Sequence, residues 1–184
     1  DLHSFPTRRS SDLDLVNTLL LQFFTLFSYI MDGFAYAGES LVGRYIGARD
    51  SHSLRLSVRL ILLWGVILTV AFTAIYAVGG NAILSLFTDK QEIAAAAQPY
   101  MFWTLIIPVC GFAAFLFDGI FIGATASRAM RNCMFAATAA FFAIYLGLPG
   151  QSNNLLWTAF IVFLVMRGAL QALMLKKSVY NRIG

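Results

Sequence analysis

The chain has 184 residues, of which 59% are hydrophobic and only 12% charged, with a mean hydropathy of +0.75. That composition lies far outside soluble globular usage. The net charge of +4 and pI near 9.3 come without a basic stripe interleaved with aromatics, which argues against nucleic acid as a partner. The cations fall instead in short segments between apolar runs, the pattern of a polytopic α-helical protein embedded in a lipid bilayer.

Residues 1–13, DLHSFPTRRSSDL, differ in character from everything after them. They are polar, carry Pro6 and the Arg8-Arg9 pair, show no periodicity, and resemble the translation of a common short-read sequencing adapter. They are set apart as a non-native scar, with a genuine disordered tail as the alternative. The native sequence is then expected to enter in mid-frame near Asp14, and residues 14–184 to be the C-terminal part of something longer.

Five helical spans follow in order: Leu15 to Ala48, Leu54 to Val78, Ile93 to Thr125, Ala129 to Leu148 and Leu155 to Leu175. Each meets or exceeds the roughly 20 residues needed to cross a ~30 Å hydrocarbon layer. The first and third are longer, so they are expected to tilt, kink or project. The fold class is all-α, a transmembrane helix bundle.

The connections alternate in charge. The first carries Arg44, Arg49, Arg55 and Arg59 against Asp50; the second carries Asp89, Lys90 and Glu92 with no positive excess. The third carries Arg128 and Arg131, the stretch from Gly147 to Asn154 is uncharged, and the C-terminus ends with Lys176, Lys177 and Arg182. The positive-inside rule places the first, the third and the C-terminus in the cytoplasm.

Gly43-x-x-x-Gly47 and Gly119-x-x-x-Gly123 are spaced to let helix backbones approach, and packing is their expected role. Pro99 and Pro108 fall within the third span and each removes a backbone donor, so Pro108 is a candidate kink ten residues before Asp118. Trp64, Trp103 and Trp157 read as interfacial anchors or bundle packing.

Two carboxylates stand where apolar residues are expected: Asp32 in the first span and Asp118 in the third. An acid at the centre of a span costs about 2.5–3.5 kcal/mol on insertion scales and usually faces a cavity, an ion path or a partner. Glu39, seven residues after Asp32, shares its helix face about two turns away. Such groups can carry a proton, bind a small cation or attract a cationic solute. The bland reading is a buried ion pair, for which Arg167 in the fifth span is the natural partner of either Asp32 or Asp118. Arg44 is similarly placed to neutralise Glu39.

Other chemistry is thin. Cys110 and Cys133 lack CxxC or Cys/His spacing, and His3 and His52 are isolated, so no metal site or disulfide framework is expected. The Asp32-Gly33 and Asp118-Gly119 pairs have no second Asp a turn or two later, as a metal-dependent phosphotransferase would need. No phosphate loop or Ser/His/Asp set occurs, and no enzyme activity or bound cofactor is expected.

The segment MDGFAYAGESLVGRYIGARD, Met31 to Asp50, resembles the eighth helix and following loop of multidrug and toxic compound extrusion (MATE) transporters. FDGIFIGATASRAMRN, Phe117 to Asn132, resembles the tenth helix and its loop. Both are closest to the bacterial branch named for DNA-damage-inducible F. The resemblance covers essentially residues 14–184 and makes the five spans helices eight to twelve of a twelve-helix fold. It implies two six-helix lobes around a central cavity and export driven by inward flow of protons or sodium across the cytoplasmic (inner) membrane. The N-terminal lobe and helix seven would be missing partners. Asp118 falls where the family places an acid of its C-lobe cation site. Sodium-coupled relatives place a Tyr one turn before that acid, whereas this chain has Ala114.

The expectation is a cation-coupled exporter of organic, often cationic compounds, with Asp118, Asp32 and Glu39 as coupling acids and H+ or Na+ as the coupling ion. This chain would be an incomplete part of it. A lipid-linked oligosaccharide flippase of the same superfamily and a non-transporting membrane assembly subunit are the alternatives. The flippase would need several cations lining its cavity, and only Arg167 lies within a span.

Overall fold

The computed structural model of the chain describes residues 5–150 and 152–183. Of the thirteen residues set apart by composition, 1–4, with His3 among them, lie outside the described residues. Six α-helices follow: α1 (Phe5–Gly47), α2 (Ser51–Phe87), α3 (Gln91–Ala97), α4 (Met101–Gly123), α5 (Ser127–Gly147) and α6 (Asn153–Ser178). Short 3-10 turns occupy Gln98–Tyr100 and Tyr180–Arg182. No strand occurs among the described residues.

Among the described residues, five stretches are long and apolar enough to cross a membrane: Leu13–Gly47, Ser51–Phe87, Gln91–Gly123, Ser127–Gly147 and Asn153–Arg182. They coincide with the five expected spans. Two differences have clear causes. The second helix does not stop at Val78 but continues through Gly79-Gly80 to Phe87. Gly80 is buried there, and a β-carbon on it would come within 3.0 Å of Met101 Cε, so the glycine serves close packing rather than a turn. The third span is interrupted at Pro99, inside the 3-10 turn, while α4 runs unbroken through Pro108. The interruption therefore falls nine residues earlier than the Pro108 kink expected from the sequence, at Pro99, which lacks the amide hydrogen needed to continue the α-helical ladder. Gln98 itself keeps helical dihedrals (φ −50°, ψ −47°).

Helix α4 lies at the centre, packed by α1, α2 and α6, and α5 lies outside against α6. The core between α1, α2 and α4 is largely aromatic. Phe23 and Phe27 are fully buried; Phe23 meets Tyr76 edge-on at 5.1 Å, and Phe27 meets Phe72 at 5.6 Å and Phe115 at 6.1 Å. Edge-to-face pairs of this kind add to area burial. The Tyr76 hydroxyl donates to the Phe23 carbonyl at 2.7 Å. Large apolar side chains such as Leu21, Val70, Val78 and Phe135 point outward, as a bilayer solvent requires.

Local chemistry sets the helix ends. Asp50 caps α2 by accepting from the Ser53 amide at 3.0 Å, and Ser152 caps α6 by accepting from the Leu155 amide at 3.2 Å. Arg182 donates to Thr125, and the Arg55 guanidinium lies 4.9 Å from the Tyr180 ring. These contacts gather the start of α2, the α4–α5 turn and the C-terminal turn at one end of the bundle. Gln98 bonded to Asn81 and Trp103 to Asn154 mark the other. The arginine-rich connections thus share one end.

Candidate functional site

The polar site is built by two close helix crossings that both involve α4. On one side, a β-carbon at Gly119 would collide with the Ala35 carbonyl of α1, and one at Gly123 with the backbone of Glu39. Ala35 and Glu39 are one turn apart, as are the two glycines, so α1 and α4 run parallel in fixed register. On the other side, a β-carbon at Gly168 of α6 would meet Ala113 Cβ at 3.1 Å and the Ala114 amide nitrogen at 3.3 Å. Small residues therefore draw both neighbours onto α4. Gly43 has only ordinary contact with the Gly123 carbonyl at 3.5 Å, and nothing lies within 4 Å of a β-carbon at Gly47.

That geometry turns Asp118 toward α6. Its Oδ2 is ion-paired with Arg167 Nη2, and its Oδ1 accepts from Gln171 Nε2 at 2.7 Å. Arg167 and Gln171 are four residues apart and so present one face of α6. Of the two partners left open by the sequence, Arg167 takes Asp118. Asp32 is half-buried on α1 and makes no ion pair among the described residues, yet it interacts electrostatically with Arg167. One guanidinium therefore serves two carboxylates, in contact with one and at longer range from the other.

Glu39 is less engaged. Its backbone forms the surface against which Gly123 packs, and its half-buried side chain makes no ion pair with Arg44. Arg44 lies over the Tyr45 ring instead, at 6.0 Å. Ala114 is fully buried where α6 crosses, directly beneath Gly168.

Gln171 was not singled out in the sequence, although a Gln one turn from Arg167 inside an apolar run was a readable signal. It is fully buried. Among the described residues its Oε1 has no hydrogen-bond partner, and neither does Arg167 Nε. An acceptor and a donor left unsatisfied beside a buried ion pair cost free energy unless something else meets them. The cluster can thus hold a charge-compensated carboxylate and still bond a water or a small polar group.

The MatE family model matches residues 16–148, which include the whole α1–α4 crossing and Asp118. The chain belongs to the MatE family. It is also 40% identical over 161 residues to DNA damage-inducible protein F of Escherichia coli (strain K12), an alignment covering 88% of the chain and 35% of that protein. The chain thus spans about a third of the length of that relative. No solved structure matches it. Membership in a transporter family agrees with the non-enzymatic reading. Arg167 and Gln171 lie beyond the matched residues, so the Asp118 cluster joins a MatE segment to the helix that follows it.

Proposed function

We propose that the chain is part of a cation-coupled antiporter that exports organic, often cationic compounds across the bacterial inner membrane. Residues 14–184 would form part of its C-terminal lobe, opposite an N-terminal lobe with which they enclose the substrate path. Protons or sodium ions would be the coupling ion. The observation that carries this reading is the half-buried Asp118 carboxylate, inside a membrane-spanning MatE bundle, held by Arg167 with Asp32 in electrostatic reach. Ionisable groups at that depth ordinarily mark ion or substrate paths. Clustering of the basic connections at one end supports a cytoplasmic C-terminus.

Coupling follows from competition for charge. Binding of a proton or cation at one carboxylate weakens its hold on Arg167, which the second acid then attracts. Because Asp32 is on α1, Asp118 on α4 and Arg167 on α6, that redistribution changes which helices are held together, as alternating access requires.

The pairing of Asp118 favours a second reading, in which Asp118 and Arg167 are interhelical glue and Asp32 alone couples. Export and stability distinguish the two in a complete transporter containing this segment. Under the first reading, Asp118→Asn lowers cation-dependent drug efflux at least tenfold in folded protein, as does Asp32→Asn. Under the second, Asp118→Asn lowers only the melting temperature while Asp32→Asn abolishes coupled efflux. Unchanged coupled efflux in both variants would remove the carboxylates from the mechanism.

A further inference from the structure

A cavity of about 550 Å³ opens at the basic end of the bundle, away from the Asp118 cluster. It is lined by the α4–α5 turn and the start of α5, with Arg128 among them, by Lys177 and Ser178 at the end of α6, and by Arg182 of the C-terminal 3-10 turn. Among its described lining residues, three are cations and none is an acid. Among the described residues, Arg128 and Lys177 make no ion pair. Arg182 is already positioned: Nη1 donates to Thr125 Oγ1 at 2.8 Å, Nη2 to the Thr125 carbonyl at 3.3 Å and Nε to the Ser178 carbonyl at 3.2 Å. Three of its five N–H donors are thereby used to fix the guanidinium, and two remain.

An unpaired Arg, an unpaired Lys and a pre-oriented Arg around one concave space form an arrangement suited to a compact oxyanion with several acceptor oxygens. The Ser127 and Ser178 side chains add neutral donors at its wall. The cavity sits where spans end and connections begin. Basic pockets between helices at such a face hold anionic headgroups.

We propose that this cavity binds the phosphate group of an anionic glycerophospholipid, clamping the α4–α5 turn to the end of α6. The site is independent of the transport reading, since it uses none of the coupling residues. Headgroup occupancy would tie α4 to α6 at the same end as the C-terminal turn, and so reinforce the crossing that holds Asp118.

The test is a titration of the chain, purified in a neutral detergent, with dioctanoylphosphatidylglycerol, dioctanoylphosphatidylcholine or inorganic phosphate, followed by native mass spectrometry. The anionic lipid is expected to bind at least tenfold more tightly than the zwitterionic lipid or phosphate. Arg128→Gln with Lys177→Gln should weaken it by about tenfold or more, on the order of fivefold for each cation lost. The charge-preserving exchange of Arg128→Lys with Lys177→Arg should retain binding, which separates loss of charge from misfolding. Arg44→Gln with Arg131→Gln removes the same charge outside the cavity and should leave affinity unchanged. Equal weakening in that control would mean diffuse attraction to a basic face and overturn the site. Phosphate binding as tight as the lipid's would overturn the lipid as its ligand, and so would equal binding of the two lipids.

Discussion

Gly119 of α4 lies so close to the Ala35 carbonyl of α1 that a β-carbon on it would collide with that peptide. The obstacle is backbone, which cannot rotate aside as a side-chain end would. Gly119→Ala is therefore expected to destabilise the bundle by about 1–3 kcal/mol, the range for overpacking. Gly33, on the same α1 helix with nothing within 4 Å of a β-carbon, is the control: Gly33→Ala should be neutral or stabilise by about 0.5–1 kcal/mol through helix propensity. Thermal melts in one detergent compare them, and equal melting temperatures would contradict the close crossing.

The Asp118–Arg167 pair is largely shielded, with side-chain exposures of 19% and 13%. Removing one partner should cost more than removing both. Arg167→Leu is expected to lose about 3–5 kcal/mol, because it leaves a buried carboxylate uncompensated. Combining it with Asp118→Leu should recover much of that loss. A double-mutant cycle measures the coupling, and additive losses would show that the two side chains act separately.

The hydroxyl of Tyr76 reaches from α2 to the Phe23 carbonyl of α1 at 2.7 Å. Tyr76→Phe keeps the ring and its edge contacts but deletes the donor, so a loss of about 0.5–1.5 kcal/mol is expected. Trp157, buried on α6, donates its indole N–H to Asn17 Oδ1 of α1 at 2.9 Å. Trp157→Phe should cost a similar amount, and urea or heat unfolding reads both.

Asp50, in the loop before α2, has its carboxyl held below the ordinary carboxylate range, chiefly by hydrogen bonding from the Ser53 side chain and then from the Ser53 amide. A depressed folded-state value means that the cap contributes above the ordinary carboxyl range, near 3.8, and fades as pH falls through the folded value. Amide exchange at Ser53 should therefore accelerate, relative to intrinsic rates, on acidification below about pH 4. Asp50→Asn, an equally good cap without a titrating group, should flatten that response; a persisting response would assign it to another group.

Much of the fold was legible because each feature was local. Runs near 20 apolar residues identify spans whatever they pack against, and charge in short connections gives their alternation. The misplaced end of the second span, at Val78, had the same origin: in the bundle α2 continues to Phe87, with Gly80 packed against Met101. The acids Asp32 and Asp118 were conspicuous in the sequence for the same local reason, their apolar surroundings, whereas Gln171 was less so because an amide is less anomalous than a charge.

The sequence by itself determined that this chain forms five membrane-crossing helices with its basic connections at alternate junctions, because hydropathy and charge act residue by residue. Tertiary structure alone decided that Arg167 pairs with Asp118, with Asp32 kept at longer range, and that Gln171 completes the cluster. Which side chains meet depends on how far apart helix axes lie and at what register. Those are set by backbone approach at Gly119, Gly123 and Gly168, which joins residues too distant in the chain for any local pattern to relate.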